Sequence, residues 1–246
     1  LFCQYIPAGP AMASGDLPDG GWLYVIKWSS IPEKDPLKDS PYGKWSLDAI
    51  GRSIAVEGVK EFRTFRAAAG GPHIISTLGF SSLGDLTAWR GNTDIMKLQS
   101  EAQEMTYEFV SEIWGPSEYL PNPRWRTGIE NGYVGKVLYV ISTGLAKGKQ
   151  ESYGKWIQES IPVWFAVPGL LGVRAFHVVV GARKEVVVFE VEDAKSWGEW
   201  YENPEVQRTR DASRVLIENI RTEIWGPNPF VLKPIRPKAE SGESGR

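Results

Sequence analysis

The chain has 246 residues, 42% of them hydrophobic and 24% charged, with a formal net charge of −2. This is ordinary globular composition, with no electrostatic footprint for nucleic acid or an anionic membrane. The single cysteine, Cys3, excludes a disulfide framework and a cysteine-built zinc site and fits a reducing, cytoplasmic compartment.

Leu1 to Gly21 is rich in Gly, Pro and Ala and lacks the basic-then-apolar order of a secretory signal, so it is expected to be an irregular arm. Trp22 to Trp28 reads as a strand from its aromatic and β-branched content. Ile31 to Pro41, with three prolines, reads as a loop. A helix ending at Glu57-Gly58 follows. Strands are then expected at Val59–Ala67, His73–Phe80 and Phe109–Trp114. A helix over about Ser82–Tyr107, broken near Gly91-Asn92, separates the last two. The same order returns later: strand Lys136–Thr143, helix Tyr153–Val167, strands Leu170–Val180 and Glu185–Val191, helix Asp193–Asn219 broken near Asn203-Pro204, and strand Ile220–Trp225.

The two passes also share residues. Tyr42-Gly43-Lys44-Trp45 recurs as Tyr153-Gly154-Lys155-Trp156, and Glu112-Ile113-Trp114-Gly115-Pro116 as Glu223-Ile224-Trp225-Gly226-Pro227. Both recurrences have an offset of 111 residues (42 to 153, 112 to 223), so the intervening stretches align without a gap. Two coincidences at one offset mark an internal repeat. The expected organisation is an N-terminal arm at 1–21, a first repeat at 22–116, a linker at 117–134, a second repeat at 135–227 and a C-terminal extension at 228–246 whose end is disordered. Each repeat reads as β-α-β-β-α-β, the ferredoxin-like unit. One such unit leaves a bare sheet face, which a second copy covers. The expected fold is α+β: two tandem ferredoxin-like repeats packed sheet to sheet as one intramolecular barrel.

The second half resembles a known family. Lys155-Trp156-Ile157-Gln158-Glu159-Ser160-Ile161-Pro162, then Ala166-Val167-Pro168-Gly169, then Val173-Arg174-Ala175-Phe176, resembles the dimeric α+β barrel superfamily in its EthD-like branch. The resemblance implies a small-molecule pocket inside the barrel. It implies chemistry drawn from cofactor-independent oxygenases, decarboxylases, cyclases, isomerases and haem-binding enzymes. The histidine usual before Ile-Pro is Ser160 here and Ala49 in the first half, so chemistry that needs it does not carry over.

Strand alternation gives two faces. Tyr24, Ile26 and Trp28 share one with Tyr139, Ile141 and Thr143 in the second half. Phe62, Thr64 and Arg66 align with Val173, Ala175 and His177, and His73, Ile75 and Thr77 with Lys184, Val186 and Val188. These faces, with their polar exceptions, are expected to point into the barrel. His177 is the candidate acid–base residue because imidazole titrates near neutrality. Arg66, Tyr24 and Tyr139 are candidates for holding a developing oxyanion. Trp28, His73, Thr77 and Trp164 are candidate substrate contacts. No metal is expected, since two histidines and no cysteine pair make no ligand set.

The leading functional expectation is a cofactor-independent lyase, decarboxylase, cyclase or isomerase acting on an aromatic or polyketide-like molecule in the barrel. The alternatives are a cofactor-independent monooxygenase, and a non-catalytic small-molecule or haem-binding barrel. Expected partners are a small-molecule substrate, no nucleic acid and no membrane. The expected state is a monomer with an internal pseudo-dimer, with a homodimer as the alternative.

Overall fold

The computed structural model describes residues 21–30, 41–71, 73–126, 137–181, 184–229, 231 and 234–237. Residues 1–20 of the expected arm, 31–40 of the proline-rich loop, 127–134 of the linker and the polar tail lie outside these residues. The order is β1 (Trp22–Ser30), α1 (Pro41–Ala55), β2 (Val59–Ala69), β3 (Ile74–Phe80), α2 (Leu83–Gly91), α3 (Thr93–Met105), β4 (Thr106–Pro116) and the short β5 (Arg124–Trp125). It continues with β6 (Val137–Leu145), α4 (Gln150–Ala166), β7 (Leu170–Val180), β8 (Glu185–Val191), α5 (Ala194–Glu202), α6 (Pro204–Ser213) and β9 (Ile217–Pro227). The break between α2 and α3 falls at Asn92, whose side chain accepts from the amides of Asp94 and Ile95 and so starts α3. Asn203 does the same for α6.

The strands form one antiparallel sheet in the order β4-β1-β3-β2-β9-β6-β8-β7-β5, and a further β4–β7 pairing closes it. The halves are therefore joined edge to edge, by β2–β9 and β4–β7 hydrogen bonds, rather than as two separate stacked sheets. Closure removes most of the unpaired strand edge.

Inside the closed sheet lies an apolar cluster drawn from both halves, including Leu23, Val25, Phe65, Ile75, Trp114, Val140, Phe176, Val188 and Trp225. Trp114 and Trp225 stack at 6.1 Å. The interior also holds charge. Lys27 Nζ donates to Glu223 Oε1 at 2.6 Å, Lys184 Nζ to Glu112 Oε1 at 2.7 Å, and Arg63 and Arg174 pair with Glu61 and Glu190. Glu112 and Glu223 each also accept an indole N–H, from Trp114 and Trp225. This explains why Glu and Trp recur together two residues apart in both halves.

Burial works against the Glu112 charge, but the Lys184 and Trp114 hydrogen bonds and the Lys27 charge hold its carboxyl below the usual carboxylate range. A depressed folded-state pKa gives stability that is present above the unfolded value, near ~4.3, and is lost as pH falls through the folded value. Glu112→Gln should therefore be less stable than the native chain at neutral pH. The gap in urea midpoint should shrink as pH falls from about 5 toward about 2.

The segments after β4 and β9 cross between halves. Past β4, Arg124 pairs with Val173 and Trp125 with Gly172 on β7. A Cβ on Gly172 would lie 2.4 Å from the Trp125 ring, so only glycine lets this strap seat. Arg126 then donates to the carbonyl oxygens of Phe165, Val167 and Leu170, capping the end of α4. Past β9, Phe62 and Ile235 exchange both backbone hydrogen bonds, at 2.8 and 2.9 Å. Positions 124 and 235, like 173 and 62, stand at the same 111-residue offset.

Glu108 and Asn219 adopt φ of 55° and 53°, each beside a register shift, in the β1–β4 and β6–β9 ladders respectively. These are paired bulges at one offset. The left-handed region costs an L-residue roughly 1–2 kcal/mol, which Asn tolerates best. Asn219→Val should lose about that much by urea unfolding, while Asn219→Gly should match or exceed the native midpoint.

Candidate functional site

A cavity of about 370 Å³ opens in the first half, between the sheet and helices α1 and α3. It lies on the helix-covered side of the strands, not inside the barrel. On β1 and β2 the inward and outward faces are thus opposite to the expectation from polar exceptions, whereas on β3 the face of Ile75 turns inward as expected. The inner face is polar too, since Lys27, Glu61, Arg63 and Glu112 stand on it as compensated pairs, so polarity could not tell the faces apart. The barrel interior proposed for substrate holds the two stacked tryptophans and their neighbours.

The strand registers lay out the cavity floor in three rows. Trp28, Ile74 and Arg66 form one, Ile26, Ser76 and Thr64 the next, and Tyr24, Leu78 and Phe62 the third. All of these but Tyr24 line the cavity. The roof is Tyr42, Trp45, Ser46, Ala49, Ile50 and Ser53 from α1, with Leu98, Gln99 and Ala102 from α3. Asn228, Pro229 and Val231, past β9, complete the wall, and Asn228 Nδ2 donates to Thr64 Oγ1 at 3.2 Å. The walls are mainly aromatic and aliphatic with a few convergent polar groups, and the volume suits a small molecule.

The charged and phenolic groups stand at the Trp28–Arg66 end, while Gln99, bonded to Tyr24, and Ser53 lie toward the Leu78 end. Trp28 Nε1 donates to Tyr42 Oη at 2.6 Å. Burial pushes the Tyr42 phenol up to about 12, against the opposing pull of the Trp28 hydrogen bond and the Arg66 charge. Tyr42 is thus a neutral phenol at physiological pH. Its oxygen accepts from Trp28, which leaves its own hydrogen for another acceptor.

Of the residues singled out in the sequence, Arg66 and Trp28 come together at this cavity. Tyr24 is buried beneath it, with its ring 5.2 Å from Trp89 and its oxygen accepting from Gln99 Nε2 at 3.3 Å. Thr77 is buried and turns with Ile75 toward the barrel interior. Tyr139 and Trp164 lie together in the helix-side core of the second half. Burial first, then the neighbouring Tyr201, raises the Tyr139 phenol to about 12, with Arg210 opposing.

His73 is exposed just before β3. His177 is exposed at the end of the helix-side face of β7, its Nδ1 3.4 Å from the Pro116 carbonyl oxygen, and it is not among the cavity-lining residues. Tyr42, Thr64, Ser53 and Asn228 were not singled out. Ser53 could have been, because position 164 at the same offset is Trp164; differences in size between the halves, not only in reactivity, carry the signal.

The resemblance raised haem as an alternative, and haem iron needs an axial His, Cys, Met or Tyr donor. Among the described lining residues only Tyr42 qualifies, and it is held as the neutral phenol. These residues do not fit a haem. No group of three or more His, Cys, Asp or Glu side chains among the described residues is placed to hold a metal ion. No helix among them is long and apolar enough to cross a membrane.

No protein-family model matches the chain, and no curated protein matches it in sequence. Solved structures do match in shape. A proposed monooxygenase from Fusobacterium nucleatum subsp. nucleatum ATCC 25586 superposes with a TM-score of 0.63 at 12% identity, covering 88% of this chain and 94% of its own. An anthrone oxidase-like protein gives 0.67 at 10% identity, covering 90% and 94%. A proposed chlorite dismutase gives 0.57 at 14% identity, covering 85% and 94%. At these identities the likeness establishes the fold: the chain is a ferredoxin-like α+β barrel.

Proposed function

We propose that this protein is a cofactor-independent oxygenase of an aromatic substrate that ionises readily, bound in the helix-side cavity of the first half. We propose further that the two halves are fused copies of one ferredoxin-like unit, as the 111-residue offset supports. The observation that carries the functional reading is the composition of the lining. Aromatic walls lead to Arg66, Tyr42, Thr64 and Asn228, while no histidine, aspartate or glutamate stands among the described lining residues. Even the position where the resemblance expects a histidine is Ala49 on this wall.

With these described residues the site stabilises an oxyanion but offers no imidazole or carboxylate to take a proton. The substrate must therefore bring its own acidity, as a phenol or enol. An electron-rich anion of this kind can reduce dioxygen itself. In the balanced reaction a ring CH2 and O2 give a ring C=O and water. A carbon–oxygen bond forms to O2, the remaining C–H proton is lost, and the oxygen–oxygen bond breaks to release water. Arg66 would hold the ring oxyanion by its charge, and Tyr42 would donate to an adjacent oxygen. The lyase and isomerase readings need a proton-transferring side chain at the substrate, and His177 does not line this cavity.

The similarity to an anthrone oxidase-like protein makes anthrone the first probe. Incubation with anthrone in air should consume one O2 per quinone formed, and the same mixture without oxygen should form none. Binding without oxygen uptake would instead favour a non-catalytic carrier.

A further inference from the structure

In the second half a side chain fills the place equivalent to part of this cavity. The backbone frames coincide there. Trp89 Nε1 donates to the Ser53 carbonyl at 3.0 Å, and Trp200 Nε1 to the Trp164 carbonyl at 3.2 Å. Positions 53 and 164, like 89 and 200, share the 111-residue offset, so Ser53 and Trp164 occupy equivalent places on α1 and α4.

Their side chains differ by an indole. Trp164 packs edge-on to Phe189 with centroids 5.0 Å apart and to Trp156 at 5.6 Å, and its Nε1 donates to Thr209 Oγ1 at 3.1 Å. The residues at the matching places in the first half are Leu78, Trp45 and Leu98. All three line the cavity, together with Ser53 and Trp89. The slot that the indole fills in one half is open in the other.

We infer that the ligand of the first half places a flat fused-ring system in this slot, as Trp164 does in the second, and that Ser53 is the residue that sets its size. This rests on the reading that a small aromatic molecule occupies the cavity. The polarity of the slot gives the ligand a direction. Where the Trp164 N–H meets Thr209, the first half offers Leu98, an apolar side chain. The Leu78–Phe62 row lies at this same end, two rows from Trp28, Ile74 and Arg66. The bound molecule therefore carries its apolar edge toward Leu98 and Leu78 and its oxygen substituents toward Arg66, Thr64 and Asn228. A single-ring phenol reaches the polar end but leaves the slot empty, so ring count decides affinity.

The test uses the full chain, with 2-naphthol and phenol as probes in calorimetric titration. One equivalent of 2-naphthol should bind, at least tenfold more tightly than phenol. Ser53→Trp should weaken 2-naphthol binding about 100-fold or more, with circular dichroism unchanged. If Ser53→Trp does not fold, Ser53→Leu serves, and should lower the preference for 2-naphthol over phenol several-fold. A folded Ser53→Trp, or a Ser53→Leu, that binds 2-naphthol like the native chain overturns the inference. So does a native chain that binds phenol as tightly as 2-naphthol, and that outcome leaves the proposed oxygenase site standing. Failure of both phenols and of anthrone to bind sinks the site itself, and the inference with it.

Discussion

Lys27→Met is expected to destabilise the protein by roughly 3–5 kcal/mol, the cost typical of leaving a buried charge without its partner. Lys27 and Glu223 are 7% and 12% exposed at their side chains, and their ion pair measures 2.6 Å. The Lys27 ammonium also sits 5.2 Å from the centre of the Trp225 ring and 5.9 Å from that of Trp114. Methionine would fill much of the lysine stem's volume, so lost packing is a small part of the effect. What remains is the Glu223 carboxylate, still bonded to the Trp225 indole but facing an apolar neighbour. At about 2–4 °C per kcal/mol for a chain of this size, the melting temperature should fall by about 6–20 °C. Adding Glu223→Gln should recover much of the loss, because the amide oxygen can still accept from Trp225 while the charge is gone. Urea unfolding of the two variants decides the matter. A loss under about 1 kcal/mol in Lys27→Met would show that the pair is solvated and contributes little.

Arg66→Gln is expected to lower kcat/KM for an ionised aromatic substrate about 100- to 1000-fold, the range for losing one oxyanion-stabilising group. Arg66 stands on β2 in the row of Ile74 and Trp28, and its charge acts on the Tyr42 phenol. Glutamine keeps a donor there but removes the charge. The loss should therefore appear mainly in kcat if Arg66 serves the anion formed along the reaction, and in KM if the substrate is already ionised when it binds. A pH profile separates the two. In the second case the apparent substrate pKa, measured on the bound ligand by absorbance, should rise in Arg66→Gln. Unchanged turnover would remove Arg66 from the chemistry and leave Tyr42 and Asn228 as the groups that hold oxygen.

The barrel was legible because two motifs, Tyr-Gly-Lys-Trp and Glu-Ile-Trp-Gly-Pro, repeat at one offset, and because strand and helix periods follow each other in the same order twice. The helix breaks were legible at Asn92 and Asn203, since an asparagine N-cap is a local device. The site was less so. Strand alternation separates two faces but does not say which is inside, and here both faces carry polar residues. Lys27 and Glu223 are 196 residues apart, so nothing local announces that each neutralises the other. Asn228 was read as the start of a C-terminal extension, and only the fold brings it to Thr64. Trp164 was read as a pocket wall because it is aromatic and lacks a counterpart. Its lack of a counterpart did carry information, but about the first half, where Ser53 leaves the space open.

The crossing straps have a consequence for how the chain is made. Asn228 is separated from Thr64 by 164 residues, and the Ile235 backbone that pairs with Phe62 comes later still. At ribosomal rates of roughly 5–20 residues per second, that interval lasts on the order of ten seconds or more. Throughout it the first half has its strands and helices but not the segment that walls its cavity. The cavity is then open where Asn228, Pro229 and Val231 will stand, and a nascent chain paused in the second half would admit an aromatic metabolite there. The half that is translated first is thus the half whose site is finished last.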